Sequence, residues 1–139
     1  MEIKLKPYDA LMQFLSEMNT WENSFFREKI SLIEKGIDAC PCSDNYKKTL
    51  EEILQKYSIK SSKAWARLEG LACGEPPMYD PHRDRVKKDR EGEQSACFIV
   101  EKHNGLEASF KFTLVSSPSG WKIRKKETLR EGDWQESTL

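Results

Sequence analysis

No stretch of this chain is apolar for long enough to cross a membrane, and its opening, "MEIKLKPYDA", lacks the apolar run of a signal peptide. The expected compartment is therefore cytoplasmic, with no membrane partner. Charge of one sign is missing as well: 23 Lys and Arg stand against 23 Asp and Glu. A general nucleic-acid binder carries a basic excess, so no nucleic acid is expected as partner. Histidine occurs only twice, at His82 and His103. A Gly-rich phosphate loop, a nucleophile elbow and a paired-histidine metalloprotease motif are all absent, and no cofactor is implied. Cysteine is scarce and badly spaced for a metal. One residue separates Cys40 from Cys42, whereas structural zinc pairs are separated by two to four. Cys40, Cys42, Cys73 and Cys97 therefore read as free thiols of a reducing compartment, and no metal site is expected.

What is present is enough for one core. The 139 residues are 37% hydrophobic and 33% charged, which fits a single polar-surfaced domain over residues 1–139. From Asp9, the expected N-cap, apolar residues fall at Leu11, Phe14, Leu15, Met18, Trp21, Phe25, Phe26, Ile30 and Ile33. Steps of three and four predict a long amphipathic helix, kinked near Asn19–Thr20 and stopped by Gly36. "DACPCSD" then reads as a loop with Pro41 as breaker and Ser43 or Asp44 as the next cap. Tyr46, Leu50, Ile53, Leu54 and Tyr57 mark a second helix. A short third, capped by Ser61 or Ser62 and ended by Gly70, would complete a helical region over about residues 9–69.

Past residue 79 the period changes. A short strand is expected around Arg85–Lys88, then "SACFIVEKH" runs into Asn104–Gly105, a strong hairpin signal because both turn positions favour positive φ. The return strand places Ala108, Phe110, Phe112 and Leu114 on one face. After the turn at Pro118–Gly120, Trp121 and Ile123 should point inward. Lys122, Arg124, Lys125 and Lys126 should form the solvent side. The meander is expected over about 79–128, with 129–139 as a loose polar tail. Helices first and strands later predict an α+β fold, with N-terminal helices packed on a curved antiparallel sheet.

Chemistry-bearing residues are few. His82 lies in "YDPHRDR" among Asp80, Arg83 and Asp84, where a carboxylate beside histidine can retune it for acid–base work. A charged solvent-facing loop has the same composition and is the favoured reading. "RVKKDR" and "KIRKK" are basic runs diluted by neighbouring acids, so they read as solvated surface. Trp65 and Trp134 fall outside the periodic faces and are better interaction candidates than the core aromatics.

"YDPHRDRV", "SACFIVEKHNG" and "ASFKFTLVSSPSGWKI" together resemble the C-terminal meander of the nuclear transport factor 2-like superfamily. The resemblance implies a cone, in which two or three helices cover a concave sheet. Within the superfamily the chain is most similar to the small bacterial immunity proteins that neutralise polymorphic or contact-dependent toxins. It implies stoichiometric binding of a cognate toxin protein and no catalytic residues. The alternative is a small-molecule isomerase or dehydratase using the cone cavity; a third reading is a binding adaptor or homodimer. Polar convergent groups in the cone would favour the enzyme, and a cone filled by Phe, Trp and Leu would favour the binder. The partner surface is expected on Tyr79, Asp80, His82, Arg83 and Asp84, with Glu131 and Trp134 near the tail.

Overall fold

A computed structural model describes residues 5–38, 40–71, 77–102 and 108–139, with the side chains of residues 40–42 excepted. Two helices, α1 (Pro7–Glu34) and α2 (Cys40–Tyr57), precede a short 3₁₀ turn at Ala66–Leu68. Five strands follow: β1 (Arg85–Glu91), β2 (Ser95–Glu101), β3 (Ser109–Ser117), β4 (Gly120–Arg130) and β5 (Asp133–Ser137). They pair in chain order as one antiparallel meander, β1-β2-β3-β4-β5. The α+β expectation holds, with both helices on one face of the sheet.

Helix α1 starts earlier than expected. Lys6 is the N-cap and Pro7 occupies the first turn, where a missing N–H has no partner to lose, while Asp9 sits in that turn beside the positive end of the helix. It also runs unbroken through Asn19–Thr20. Asn19 is no kink, because its side chain is spent on a tether, donating to the Tyr79 carbonyl at 2.7 Å. Gly36 ends the helix with φ +70°, as a left-handed C-terminal position favours. Proline 41 starts α2 rather than breaking the chain, since a first turn tolerates it. The expected third helix is only a turn and one 3₁₀ segment, with Ser61 Oγ accepting the Ala64 N–H at 3.0 Å.

The strand pairing of β2 with β3 is as expected, and Lys102 N–H still reaches the Ala108 carbonyl at 2.8 Å. The Asn104–Gly105 turn and His103 lie outside the described residues, as does Cys73. The 129–139 segment is not loose. It forms the last residues of β4 and the edge strand β5, with Glu131 at φ 51° and Gly132 at φ 84° making the turn. Leu139 is fully buried, and Thr138 Oγ1 bridges the Ala64 carbonyl and the Arg67 N–H. Burial of Leu139 with these bonds fixes a segment whose polar composition alone suggested solvent.

The core fills the cone. Phe14 meets Tyr57, Tyr79 and Phe112 edge-on, and Leu11, Met18, Leu54, Phe98 and Leu114 pack beside them with no more than 1% exposure. Edge-to-face ring contacts add to the burial energy of such a core. Ile123 is buried as expected and Trp121 packs against the core half-buried.

The phase of β4 is not as expected. Thr113 pairs with Lys125 but Leu114 pairs with Ile123, which leaves Arg124 as an extra, bulged residue. One extra residue inverts the alternation beyond it. Lys126 therefore falls opposite Phe112 on the inner face, only 2% exposed, although its place in "KIRKK" suggested solvent.

Candidate functional site

Lys126 belongs to a buried polar cluster at one side of the cone, assembled from four separate parts of the chain. Its Nζ donates to the Tyr79 hydroxyl at 3.0 Å and lies 3.2 Å from Met78 Sδ. The faces of Phe110 and Tyr79 stand 4.0 and 4.8 Å away. From the 3₁₀ turn, Arg67 pairs with Glu22 of α1 at 3.1 Å, both almost wholly buried, and its guanidinium lies over Trp21. The other oxygen of Glu22 accepts the Met78 N–H at 2.6 Å. A second buried pair, Lys102 with Asp84 at 2.6 Å, closes the far end of the same loop.

Burial sets the electrostatics. Desolvation pushes the Lys126 ammonium down to about 7, helped by the nearby Arg67 and Lys102 charges and resisted by Glu22. The Tyr79 phenol is held well above its usual range by burial, so it stays a neutral hydroxyl. Glu22 is also raised: loss of water outweighs the Arg67 charge and the backbone donors.

The cluster is an anchor for the Pro77–Asp84 loop, and this divides the expected partner residues in two. Tyr79 is fully buried and the Asp84 side chain is 2% exposed. Neither presents a surface, because a phenol ring completes the core and a carboxylate neutralises Lys102. Asp80, His82 and Arg83 form the loop tip. His82 is exposed and donates its backbone N–H to Asp80 Oδ1 at 3.3 Å, and Arg83 lies 3.8 Å from Asp80 Oδ2. Asp80 N–H in turn donates to Asp84 Oδ2 at 3.0 Å, so the carboxylates shape a turn rather than orient an imidazole. Glu131 and Trp134 belong to a different part of the chain, the β4–β5 turn and strand β5. Trp134 is on edge strand β5, with Lys111 Nζ 4.6 Å from its ring, whereas the loop leads into the opposite edge strand β1. β1 and β5 are the two edges of the sheet, although the loop reaches as far as β4 through the Tyr79–Lys126 contact. Trp65 is partly buried and satisfied, its indole donating to Ser58 Oγ at 2.8 Å.

An exposed apolar face was missed by sequence reasoning. Phe26, Ile30 and Ile33 follow helical spacing, but the buried face of α1 ends at Phe25, and Ile37 lies just past the helix. Ile30, Ile33 and Ile37 are 37%, 55% and 52% exposed. The periodicity of Ile30 and Ile33 looked like more core; only the extent of the sheet tells where the core stops. A groove of about 560 Å³ between α1 and α2, with Ser16, Thr20, Tyr46 and Ile53 in its walls, also opens on the helical face, outside the cone. Among the described residues no cluster of His, Cys, Asp and Glu has the arrangement of a metal site.

A curved meander with a bulged fourth strand, covered by two helices over a ring-filled cone, defines an α+β cone built for packing. The model of the family described as NTF2 fold immunity protein matches residues 6–138. The chain belongs to that family of bacterial toxin-immunity proteins, which are inhibitors and not enzymes. It is similar to the immunity protein RhsIA of Dickeya dadantii (strain 3937), 29% identical over 122 residues that span 88% of this chain and 86% of the relative. No solved structure matches the chain. Family membership overturns the isomerase or dehydratase alternative, and the aromatic packing of the cone agrees with it.

Proposed function

We propose that the protein binds a cognate bacterial toxin and neutralises it by stoichiometric protein–protein inhibition, in the cytoplasm. The observation that carries this reading is the match to an immunity family along nearly the whole chain. A cone filled by Phe14, Tyr79, Phe110 and Phe112 supports it, since the interior is committed to packing and recognition is left to the surface. Two surface features suit a protein partner: the charged loop tip of Asp80, His82 and Arg83, and the exposed isoleucines at the end of α1. Glu131 at the β4–β5 turn and Trp134 on edge strand β5 are proposed as further partner contacts. No described helix is long and apolar enough to cross a membrane.

Co-expression with the cognate toxin domain tests the proposal. Growth should be restored by the wild-type protein, and a mixture of the two should elute as a 1:1 complex. Continued growth arrest with no complex would overturn it. Light scattering of the free protein decides between a monomer and the homodimer that the fold also permits.

A further inference from the structure

Among the described residues, the charges beneath Met78 do not balance. Glu22 neutralises Arg67 and Asp84 neutralises Lys102, which leaves Lys126 as a third buried cation whose partners are all neutral. Those partners are the Tyr79 hydroxyl, the Met78 thioether and two ring faces. Among the described residues, the charged groups acting on it from the surrounding elements are Glu22 of α1, Arg67 of the 3₁₀ turn and Lys102 beyond β2. Buried cations ordinarily face a carboxylate, and this one faces a sulfur, which is a weak acceptor. The same sulfur lies 3.9 Å from Arg67 Nη1, so one thioether covers two cations. Met78 is also where the cluster meets water: it is 36% exposed over a lysine that is 2% exposed.

From this juxtaposition we propose that Lys126 and Arg67 form a receptor for a carboxylate of a protein partner, an Asp or Glu side chain, with Met78 as its displaceable cover. The inference rests on the toxin-binding reading and adds to it the chemistry of one contact. A glutamate has the same reach as methionine: its carboxyl carbon matches the sulfur position, and its two oxygens extend from there toward the two cations. Charge-assisted bonds of this kind, made out of water, are strong and selective. Burial leaves the Lys126 ammonium only partly formed near neutral pH. An incoming carboxylate stabilises the charged form, so docking takes up a proton from solution.

Two arms test this. In the free protein, Met78→Glu supplies the carboxylate internally and Met78→Gln is its neutral control. The Glu variant should melt above the Gln variant from pH 6 to 8; an equal or lower midpoint would overturn the receptor. In the second arm, titration calorimetry with the cognate toxin domain is run at pH 7.5 in buffers of different ionisation enthalpy. The wild type should take up a fraction of a proton, and Lys126→Met should abolish the uptake and weaken binding by at least about tenfold. Met78→Glu should weaken binding similarly, because its own carboxylate fills the receptor. Toxin binding by Lys126→Met with unchanged affinity and unchanged proton uptake would overturn the receptor alone. Absence of wild-type binding would overturn the toxin-binding reading itself, and with it a carboxylate of toxin origin.

Discussion

Replacing Lys126 by methionine should make the protein more stable, although it deletes a hydrogen bond and two ring contacts. The lysine has an ordinary value of 10.5 when unfolded and about 7 inside the cone. At about 1.4 kcal/mol per pH unit, that gap corresponds to roughly 5 kcal/mol of penalty for keeping the ammonium buried. Loss of the bond to the Tyr79 hydroxyl and of the contact with the Phe110 ring offsets part of it, by about 1–2 kcal/mol each. A net gain of about 1–3 kcal/mol in Lys126→Met follows at pH 6–7. The pH dependence separates this from mere repacking. Between pH 7 and 10.5 the unfolded chain holds a proton at Lys126 that the folded protein has released, so wild-type stability rises with pH through this group. Below pH 7 both states are protonated and the penalty is complete. The advantage of Lys126→Met should therefore be largest at pH 6 and shrink by about 2–3 kcal/mol by pH 9. Urea unfolding of both proteins at pH 6, 7, 8 and 9 measures it. Parallel curves, or a variant less stable at pH 6, would refute a charged buried lysine.

Other substitutions probe the rest of the account. Arg67→Met leaves Glu22 buried and unpaired, and should lower stability by about 3–5 kcal/mol in denaturant unfolding. Leu139→Ala should lower it by about 2–4 kcal/mol if the final residues are part of the core; an effect below about 0.5 kcal/mol would mean a loose tail after all. Gly36→Ala should lower it by about 1–2 kcal/mol through backbone strain alone, since φ is +70° and nothing stands within 4 Å of an added Cβ. Ile33→Ser should change stability by no more than about 0.5 kcal/mol, because Ile33 is 55% exposed; a larger loss would place it in the core.

The two helices, the hairpin pairing and most of the core were legible because burial writes a period into the sequence: 3.6 along Leu11–Phe25 and 2 along Phe110–Leu114. The resemblance carried by "GWKI" and its neighbours added the topology that periodicity leaves open. The errors have local causes. A single bulge at Arg124 turned Lys126 inward, and nothing in "KIRKK" marks which base lies inside. Phe26, Ile30 and Ile33 keep the helical period although the sheet no longer lies beneath them. Tyr79 and Asp84 looked like surface because they sit in a Pro- and Asp-rich loop, yet each serves a partner distant in sequence, Lys126 and Lys102. Those pairings depend on tertiary contacts that no spacing rule encodes. In the candidate loop, His82 and Arg83 are exposed as its composition suggested, whereas Tyr79 and Asp84 are buried and hold the loop in place.

Inhibition by binding has a stoichiometric end point that an activity titration reads. Purified protein added to a fixed amount of the cognate toxin domain should reduce toxin activity linearly to near zero at one equivalent. Undiminished activity at a tenfold molar excess would contradict the account.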